Sequence, residues 1–293
     1  MRISSVLKSA VFAAAATVIG TSAALATPIN FTWNPSGAGL SDAGAFTASN
    51  ITVNDYSVID AANLSAITET GFLSVQSINA STPGLVSLSG TVAGATPYGL
   101  YFQVSTLSHL TPVLPGLLLG AFDSLTYTLW GDVGGTCSFS ASVSGASKSC
   151  SSAQVILATG QLDTSPTASN FVSITGANNP LNPLNPVTNE GIPAANVDVT
   201  IDSVLPSFWL SPTDLFSLFF QTSFINVASE SAQFGTTFVV GGCVPSVSPL
   251  VLPCPGSGTL SLNQQVPEPV TLSVFGAGLV GAVALRRRKA KKA

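Results

Sequence analysis

Apolar and polar residues alternate along several stretches in the middle of the chain, and this alternation is the pattern of half-buried β-strands. It is clear in Leu100–Ser105, Leu125–Trp130, Cys137–Ser144 and Asn196–Val204. Glycine, proline and asparagine separate these stretches, as they do in folds built from many short strands. The pattern predicts an all-β fold, an antiparallel sandwich or jelly-roll-like body.

One stretch carries a mixed pattern. Ser211-Pro212-Thr213-Asp214 resembles a helix start, with serine as the N-cap and proline in the first helical position. The residues after it alternate again. We therefore expect a short helical turn that leads into a buried strand, one face of which is formed by Phe216, Leu218, Phe220, Thr222 and Phe224.

The N-terminus has the three parts of a secretory signal peptide. Arg2 and Lys8 give a positive start, Ala10–Gly20 is a short apolar run, and Ala24 and Ala26 frame a small-x-small cleavage site. We predict that the Sec machinery exports the chain, that residues 1–26 are removed and that the mature chain begins after Ala26.

The C-terminus holds a second apolar run, Val270–Leu285, which contains no charged residue. As a helix it would be about 24 Å long, at 1.5 Å per residue, against about 30 Å for a hydrocarbon core. The flanking side chains can extend to the interface and make up part of the difference. By the positive-inside rule, the basic cluster that follows would stay in the cytoplasm. This cluster comprises Arg286, Arg287, Arg288 and Lys289.

Charge is distributed very unevenly. Between Ala26 and Pro267 only Lys148 is basic, against 12 acidic residues, a net charge of −11. So acidic a body repels the phosphate backbone, and this excludes nucleic acid as its partner.

The residues Val266-Pro267-Glu268-Pro269 stand directly before the C-terminal apolar run. The order of motif, apolar helix, arginine cluster and chain end resembles a PEP-CTERM sorting signal. The resemblance implies an exosortase partner in the inner membrane of a Gram-negative bacterium, cleavage at the motif, and transfer to the cell surface or extracellular matrix. It divides the chain into a signal peptide (1–26), an exported all-β domain (27–265) and a sorting signal (266–293).

The body itself resembles a particular group, the flocculation-associated PEP-CTERM proteins. The similar segments are Phe31–Gly39, Phe46–Asp60, Thr68–Val75, Tyr98–Ser105, Phe122–Asp132 and Leu215–Asn226. The resemblance implies a non-enzymatic protein that holds cells and exopolysaccharide together.

Four cysteines in an exported chain favour disulfides. Three pairings are possible, and we favour Cys137–Cys150 and Cys243–Cys254 because each closes a short loop. The first would tie the base of a hairpin that turns near Ser144–Lys148. The spacing does not contain the close ligand pairs of a zinc site.

No catalytic constellation is evident, so we expect neither enzyme activity nor a cofactor or metal. His109 is the single histidine, and no G-x-S-x-G motif accompanies it. Asp198 and Asp202 would share a strand face but lie about 13 Å apart at strand rise, which exceeds the separation that glycosidases use.

Three functions remain open. The first is a structural matrix protein that supports flocculation or biofilm through exopolysaccharide. The second is a carbohydrate-binding module that uses Trp33, Trp130 or Trp209 as a sugar platform. The third is a secreted hydrolase.

Overall fold

The computed structural model describes residues 27–80, 96–114, 117–165, 168–175, 192–215, 218–225, 231–234, 236–241 and 256–264. Almost all of these residues form β-structure, and Pro28–Gln264 is one compact unit. The strands in chain order are β1 Thr27–Pro28, β2 Phe31–Trp33, β3 Phe46–Asp60, β4 Ile67–Ala80, β5 Tyr98–Leu114, β6 Leu117–Val133, β7 Ser138–Ser142, β8 Gly145–Ser149, β9 Gln154–Gln161, β10 Asn170–Thr175, β11 Ile192–Thr200, β12 Ser203–Val204, β13 Trp209–Ser211, β14 Leu218–Ile225, β15 Ser231–Phe234, β16 Thr237–Val240 and β17 Gly256–Gln264. Within these described residues, no helix has the length and apolarity needed to cross a membrane.

Eight of the strands form a closed antiparallel sheet. Their order around the ring is β3, β4, β5, β6, β10, β11, β14 and β17, and β17 pairs back onto β3. A ring of this kind leaves none of its eight strands as a free edge. The predicted all-β antiparallel class is confirmed, and the body is barrel-like.

Alternation along the strands places the apolar side chains inside this ring. In β11 the residues Val197 and Val199 are 1% and 3% exposed, and Ile201 just beyond the strand is 5% exposed. The predicted apolar face of 196–204 is therefore correct, although β11 ends at Thr200 and the separate strand β12 follows. Partners for these residues include Leu73, Phe102, Leu129, Phe220 and Leu260.

Aromatic rings fill the inside of the sheet near the start of β3. The short strands β2 and β13 pair with each other there, and β2 also pairs with β3. The ring of Trp33 lies 5.0 Å from Phe208 and 4.6 Å from Phe31, centroid to centroid. Trp209 and Phe46 complete the cluster. Large rings pack against one another here in tilted and edge contacts.

The strand β3 is long enough to have two different neighbours on one side. Asn50–Asp55 pairs with β17, whereas Ser57–Asp60 pairs with β16. A second apolar cluster lies at this later part of β3. It contains Ile59, Ala61, Ile67, Leu110, Leu118, Ile174, Phe238 and Val240.

The expected helix start at Ser211 is wrong. Ser211 is the last residue of β13, and Pro212–Leu215 has no regular structure. The Trp209 Nε1–H donates to the Pro212 carbonyl oxygen at 2.8 Å, which ties this segment to the buried indole. The expected strand is present as β14, where Phe220 and Thr222 are 0% and 4% exposed.

The strands β7 and β8 form a separate hairpin, closed at its base by the disulfide Cys137–Cys150. This predicted disulfide is confirmed. The turn lies at Val143–Ser144, so Lys148 belongs to the second strand and not to the turn. Cys243 and Cys254 lie outside the described residues.

Candidate functional site

The predicted sorting residues lie outside the part of the chain that the structure describes. They are Ala24 and Ala26 at the signal cleavage site, Val266, Pro267, Glu268 and Pro269 in the motif, and Arg286, Arg287, Arg288 and Lys289 in the basic cluster. The candidate sites within the body are therefore judged on the described strands alone.

The disulfide-tied hairpin covers an aromatic patch on the outer face of the closed sheet. Tyr101 and Trp130 are direct cross-strand partners on β5 and β6, and their rings are stacked with centroids 6.4 Å apart. Phe139 from the hairpin packs against Tyr101 and Phe72, with centroids at 5.1 and 5.7 Å. This cover explains why Leu100, Tyr101 and Phe102 are all buried although alternate residues face opposite sides.

Lys148 occupies the centre of this aromatic patch. Its Nζ lies 4.7 Å from the ring centroid of Tyr101 and 4.9 Å from that of Trp130, the range of cation–π contacts. The same Nζ donates to the Tyr101 hydroxyl at 2.6 Å and to Gln154 Oε1 at 2.9 Å. The Tyr101 hydroxyl in turn donates to Gln154 Oε1. The only basic residue of the body is therefore held by rings and hydrogen bonds together.

The surroundings shift the pKa values of both Lys148 and Tyr101. Burial lowers the pKa of the Lys148 ammonium. Burial and, to a smaller extent, the Asp132 carboxylate raise the pKa of Tyr101 to about 12. At neutral pH the phenol is therefore protonated and can donate to Gln154.

Asp132 anchors the base of the hairpin. Its side chain is fully buried, and Oδ2 accepts a hydrogen bond from the Cys137 backbone N–H at 2.7 Å. Oδ1 accepts from the hydroxyls of Thr136 and Ser152. This carboxylate thus satisfies polar groups at the point where the chain leaves β6 for the hairpin.

A cleft of about 200 Å³ lies between the hairpin and the outer faces of β4 and β5. Phe139 and the side chains of Ser74 and Gln76 line it, and the Gln76 amide donates to the Ser74 hydroxyl at 3.3 Å. Gly99 and Gly135 also line the cleft and present backbone atoms to it without a side chain. Amide and hydroxyl groups beside an aromatic ring are suited to hydrogen-bonding and stacking with a sugar.

The structure brings few of the other candidate residues together. His109 and Asp123 form an exposed pair on β5 and β6, with Nδ1 and Oδ1 2.8 Å apart. Asp198 is buried and accepts from the Ser169 backbone N–H at 2.8 Å, whereas Asp202 is exposed beyond the end of β11. These two aspartates therefore do not face a common site.

The three tryptophans differ in their surroundings. Trp33 and Trp209 are 0% and 4% exposed and belong to the core, so neither is a sugar platform. Trp130 is half-buried and stacks on Tyr101 beneath the hairpin. Among the described residues, no group of three or more His, Cys, Asp or Glu side chains is placed to hold a metal ion.

Residues 265–289 match the family model described as the PEP-CTERM protein-sorting motif. This match confirms the resemblance carried by Val266–Pro269 and supports a PEP-CTERM protein, exported and processed by an exosortase. No curated protein and no solved structure matches the chain. The resemblance of the body to the flocculation-associated group stays a prediction.

Proposed function

We propose that this chain is a non-enzymatic protein of the cell surface or extracellular matrix, which supports flocculation or biofilm by associating with exopolysaccharide. The match to the PEP-CTERM sorting motif carries the proposal, because it supports export and processing by an exosortase. The domain that would be released is a closed sheet with a disulfide-tied hairpin, a body suited to an oxidising exterior.

The scarcity of basic residues in the body indicates how it would contact a polymer. Lys148 is the single basic residue between Ala26 and Pro267, and the aromatic patch and Gln154 occupy its ammonium group. Attraction of an anionic polymer to free cations on the body is therefore not the favoured mode. Hydrogen bonds and ring contacts with neutral sugar residues are favoured, and the cleft beside Phe139 offers both.

The sorting part of the proposal is tested with a triple variant, Pro267→Ala, Glu268→Ala and Pro269→Ala. We expect the variant to be expressed but retained in the membrane fraction, and the culture to stay dispersed. The matched control is Pro180→Ala, Pro183→Ala and Pro186→Ala, three alanine substitutions in residues 179–186, where the pair Asn-Pro occurs three times. Release of the motif variant to the medium at the level of the control would contradict sorting through this motif.

The adhesion part is tested by deleting the gene. We expect dispersed cells that still make exopolysaccharide, and restored flocculation when the intact gene is returned. A deletion strain that flocculates normally would contradict adhesion while leaving the sorting proposal in place.

A carbohydrate-binding module is the second candidate function, and the cleft of about 200 Å³ favours it. Co-sedimentation of the purified protein with exopolysaccharide from the same cells would compare Phe139→Ala with Phe171→Ala. Phe171 is 45% exposed on β10 and does not line the cleft, so its loss controls for the removal of a surface ring. We expect Phe139→Ala alone to weaken sedimentation severalfold, and an equal effect of both variants would contradict a role for the cleft.

The hydrolase alternative has a simple test. A panel of general esterase and glycosidase substrates should show no turnover above that of buffer. Turnover that co-purifies with the protein would contradict the non-enzymatic role.

A further inference from the structure

A cavity of about 60 Å³ lies inside the closed sheet, and Asp55 and Ile59 in the later part of β3 line it. It lies between the main core and the second apolar cluster, because Ile59 belongs to the second cluster and Leu73 to the first. Most of its walls are apolar. The apolar lining comprises Ile59, Leu73, Val104, Phe122, Leu125, Val172, Pro193, Ala194, Ala195, Val197 and Phe224.

Three polar side chains also face this cavity, each from a different strand. Asp55 on β3 and Thr106 on β5 are 3% and 8% exposed, and Glu69 on β4 is half-buried. Glu69 and Thr106 are direct cross-strand partners. The alternation that puts Val53 and Ile59 inside the sheet also puts Asp55 inside. Asp55 and Glu69 therefore face the cavity because of the strand register, and neither belongs to a loop.

Thr106 gives an independent sign of a ligand. Its Oγ1 is buried and has no hydrogen-bond partner among the residues that the structure describes. A buried hydroxyl without a partner costs about 1–3 kcal/mol. A ligand group that hydrogen-bonds to this hydroxyl would remove that cost.

The cavity has both access and depth. Val104, Val172, Ala195 and Phe224 line it but are only half-buried, so the lining is reachable from solvent. A deeper hollow of about 30 Å³ shares Leu73, Leu125 and Val197 with the cavity and continues to apolar side chains further inside. The deeper residues are Phe102, Tyr127, Phe220 and Leu260. The space is therefore polar near Glu69 and Thr106 and apolar beyond them.

We propose that the closed sheet binds a small amphiphile, a short single alkyl chain that carries a primary amine or a hydroxyl group. The head group lies at Glu69, Thr106 and Asp55, and the chain points into the hollow beside Phe220. Carboxylate oxygens accept hydrogen bonds and a hydroxyl can accept or donate, so a head that donates can bond to all three of these groups. Two acids at the same site disfavour a carboxylate head.

The state of Glu69 agrees with a neutral or cationic head. Burial raises the pKa of its carboxyl, and the nearby Ser57 hydroxyl offsets part of that rise. A neutral carboxyl can hydrogen-bond with an alcohol, and an ionised one can pair with an ammonium group. The cavity volume of about 60 Å³ is several times the roughly 10–15 Å³ that one water molecule needs. It is therefore consistent with a short alkyl chain.

Calorimetric titration of the purified secreted protein tests this site with three probes of equal chain length: n-hexylamine, 1-hexanol and hexanoate. We expect saturable binding of the amine and the alcohol at one site per chain, and binding of hexanoate at least tenfold weaker. No saturable binding of either, or equal binding of all three probes, would overturn the proposal.

Two variants locate the site. Ala195→Phe should fill the cavity and weaken n-hexylamine binding at least tenfold, whereas Ala62→Phe at an exposed position should leave it unchanged. Thr106→Val should weaken binding severalfold, with Thr126→Val on the exposed face of β6 as its control. Near-ultraviolet circular dichroism checks that each variant is folded. Undiminished binding by folded Ala195→Phe would overturn the proposal, and because no polysaccharide is involved, this outcome leaves the matrix role unaffected.

Discussion

Lys148 and Glu69 are both ionisable side chains that the fold places among apolar groups, but their surroundings differ. Lys148, on the outer face of the sheet, has two hydrogen-bond acceptors and lies over aromatic rings. Glu69, on the inner face, lies at a cavity next to the buried hydroxyl of Thr106, which has no partner among the described residues.

The difference separates a structural role from a binding role. A polar group that several partners hold fixes one arrangement of the chain, as Lys148 fixes the hairpin on the sheet. A polar group that lies incompletely paired at a cavity costs stability. We infer that a bound ligand, and not another group of the protein, offsets the free-energy cost of burying the Thr106 hydroxyl.

The largest expected effect comes from opening the hairpin that carries Lys148. The double variant Cys137→Ser and Cys150→Ser removes a disulfide between residues 13 apart. In the chain-entropy model a loop of this size contributes about 3 kcal/mol. We therefore expect the free energy of unfolding in urea to fall by about that amount, with Ser138→Ala and Ser149→Ala as a control. A change below about 1 kcal/mol would show that the hairpin is held without the disulfide.

The next effect comes from Lys148 itself. Lys148→Met keeps an unbranched side chain but removes the cation–π contacts and both hydrogen bonds. We expect a loss of about 1–3 kcal/mol in the free energy of unfolding, because the Tyr101 and Gln154 oxygens lose a donor. Ser147→Ala on the exposed face of β8 is the control. A variant as stable as the wild type would contradict a structural role for Lys148.

The sequence predicted the strands better than the two sites. Alternation identified the strands because one face of each is buried, and cysteine spacing identified Cys137–Cys150. Closure of the ring could not be predicted, since pairing of β17 with β3 joins residues about 200 positions apart along the chain. The aromatic patch was missed because Tyr101 faces outward by alternation and is buried only by the hairpin.

A usable signal existed for each missed site. Lys148 is the sole basic residue in the body, which marks it as a side chain with a specific place. Asp55 interrupts the apolar face that Val53 and Ile59 form on β3, which marks an acid inside the sheet. The neighbourhood of Asp55, Glu69 and Thr106 depends on the register of three strands, and alternation within one strand does not fix register.

The third effect depends on pH and concerns Glu69. Because burial raises the folded-state pKa of Glu69 above 4.5, the folded state holds the proton over a pH range in which the unfolded state releases it. The stabilisation that protonated Glu69 adds to the free energy of unfolding is therefore fully present below about pH 4.5. It is lost as pH rises through the folded-state pKa.

We expect Glu69→Gln to remove this dependence. The free energy of unfolding of the variant, relative to wild type, should rise as pH rises from about 4 to 7, with a slope of at most about 1.4 kcal/mol per pH unit. The groups that bear on this titration are Asp55 and Thr106, which line the cavity with Glu69, and the buried Ser57 hydroxyl. Asp60→Asn, an exposed acid on the same hairpin, is the control. A difference that falls with pH would contradict a raised pKa.

The smallest expected effect is also the most direct test of the contrast between the two sites. Thr106→Val replaces the buried hydroxyl by a methyl group of similar shape, and no described hydrogen bond is lost. The free energy of unfolding in urea, measured on the purified protein without added amphiphile, should be unchanged or should increase by up to about 1 kcal/mol. A decrease of more than about 1 kcal/mol would show that the hydroxyl stabilises the fold and would contradict the claim that this site is retained for binding.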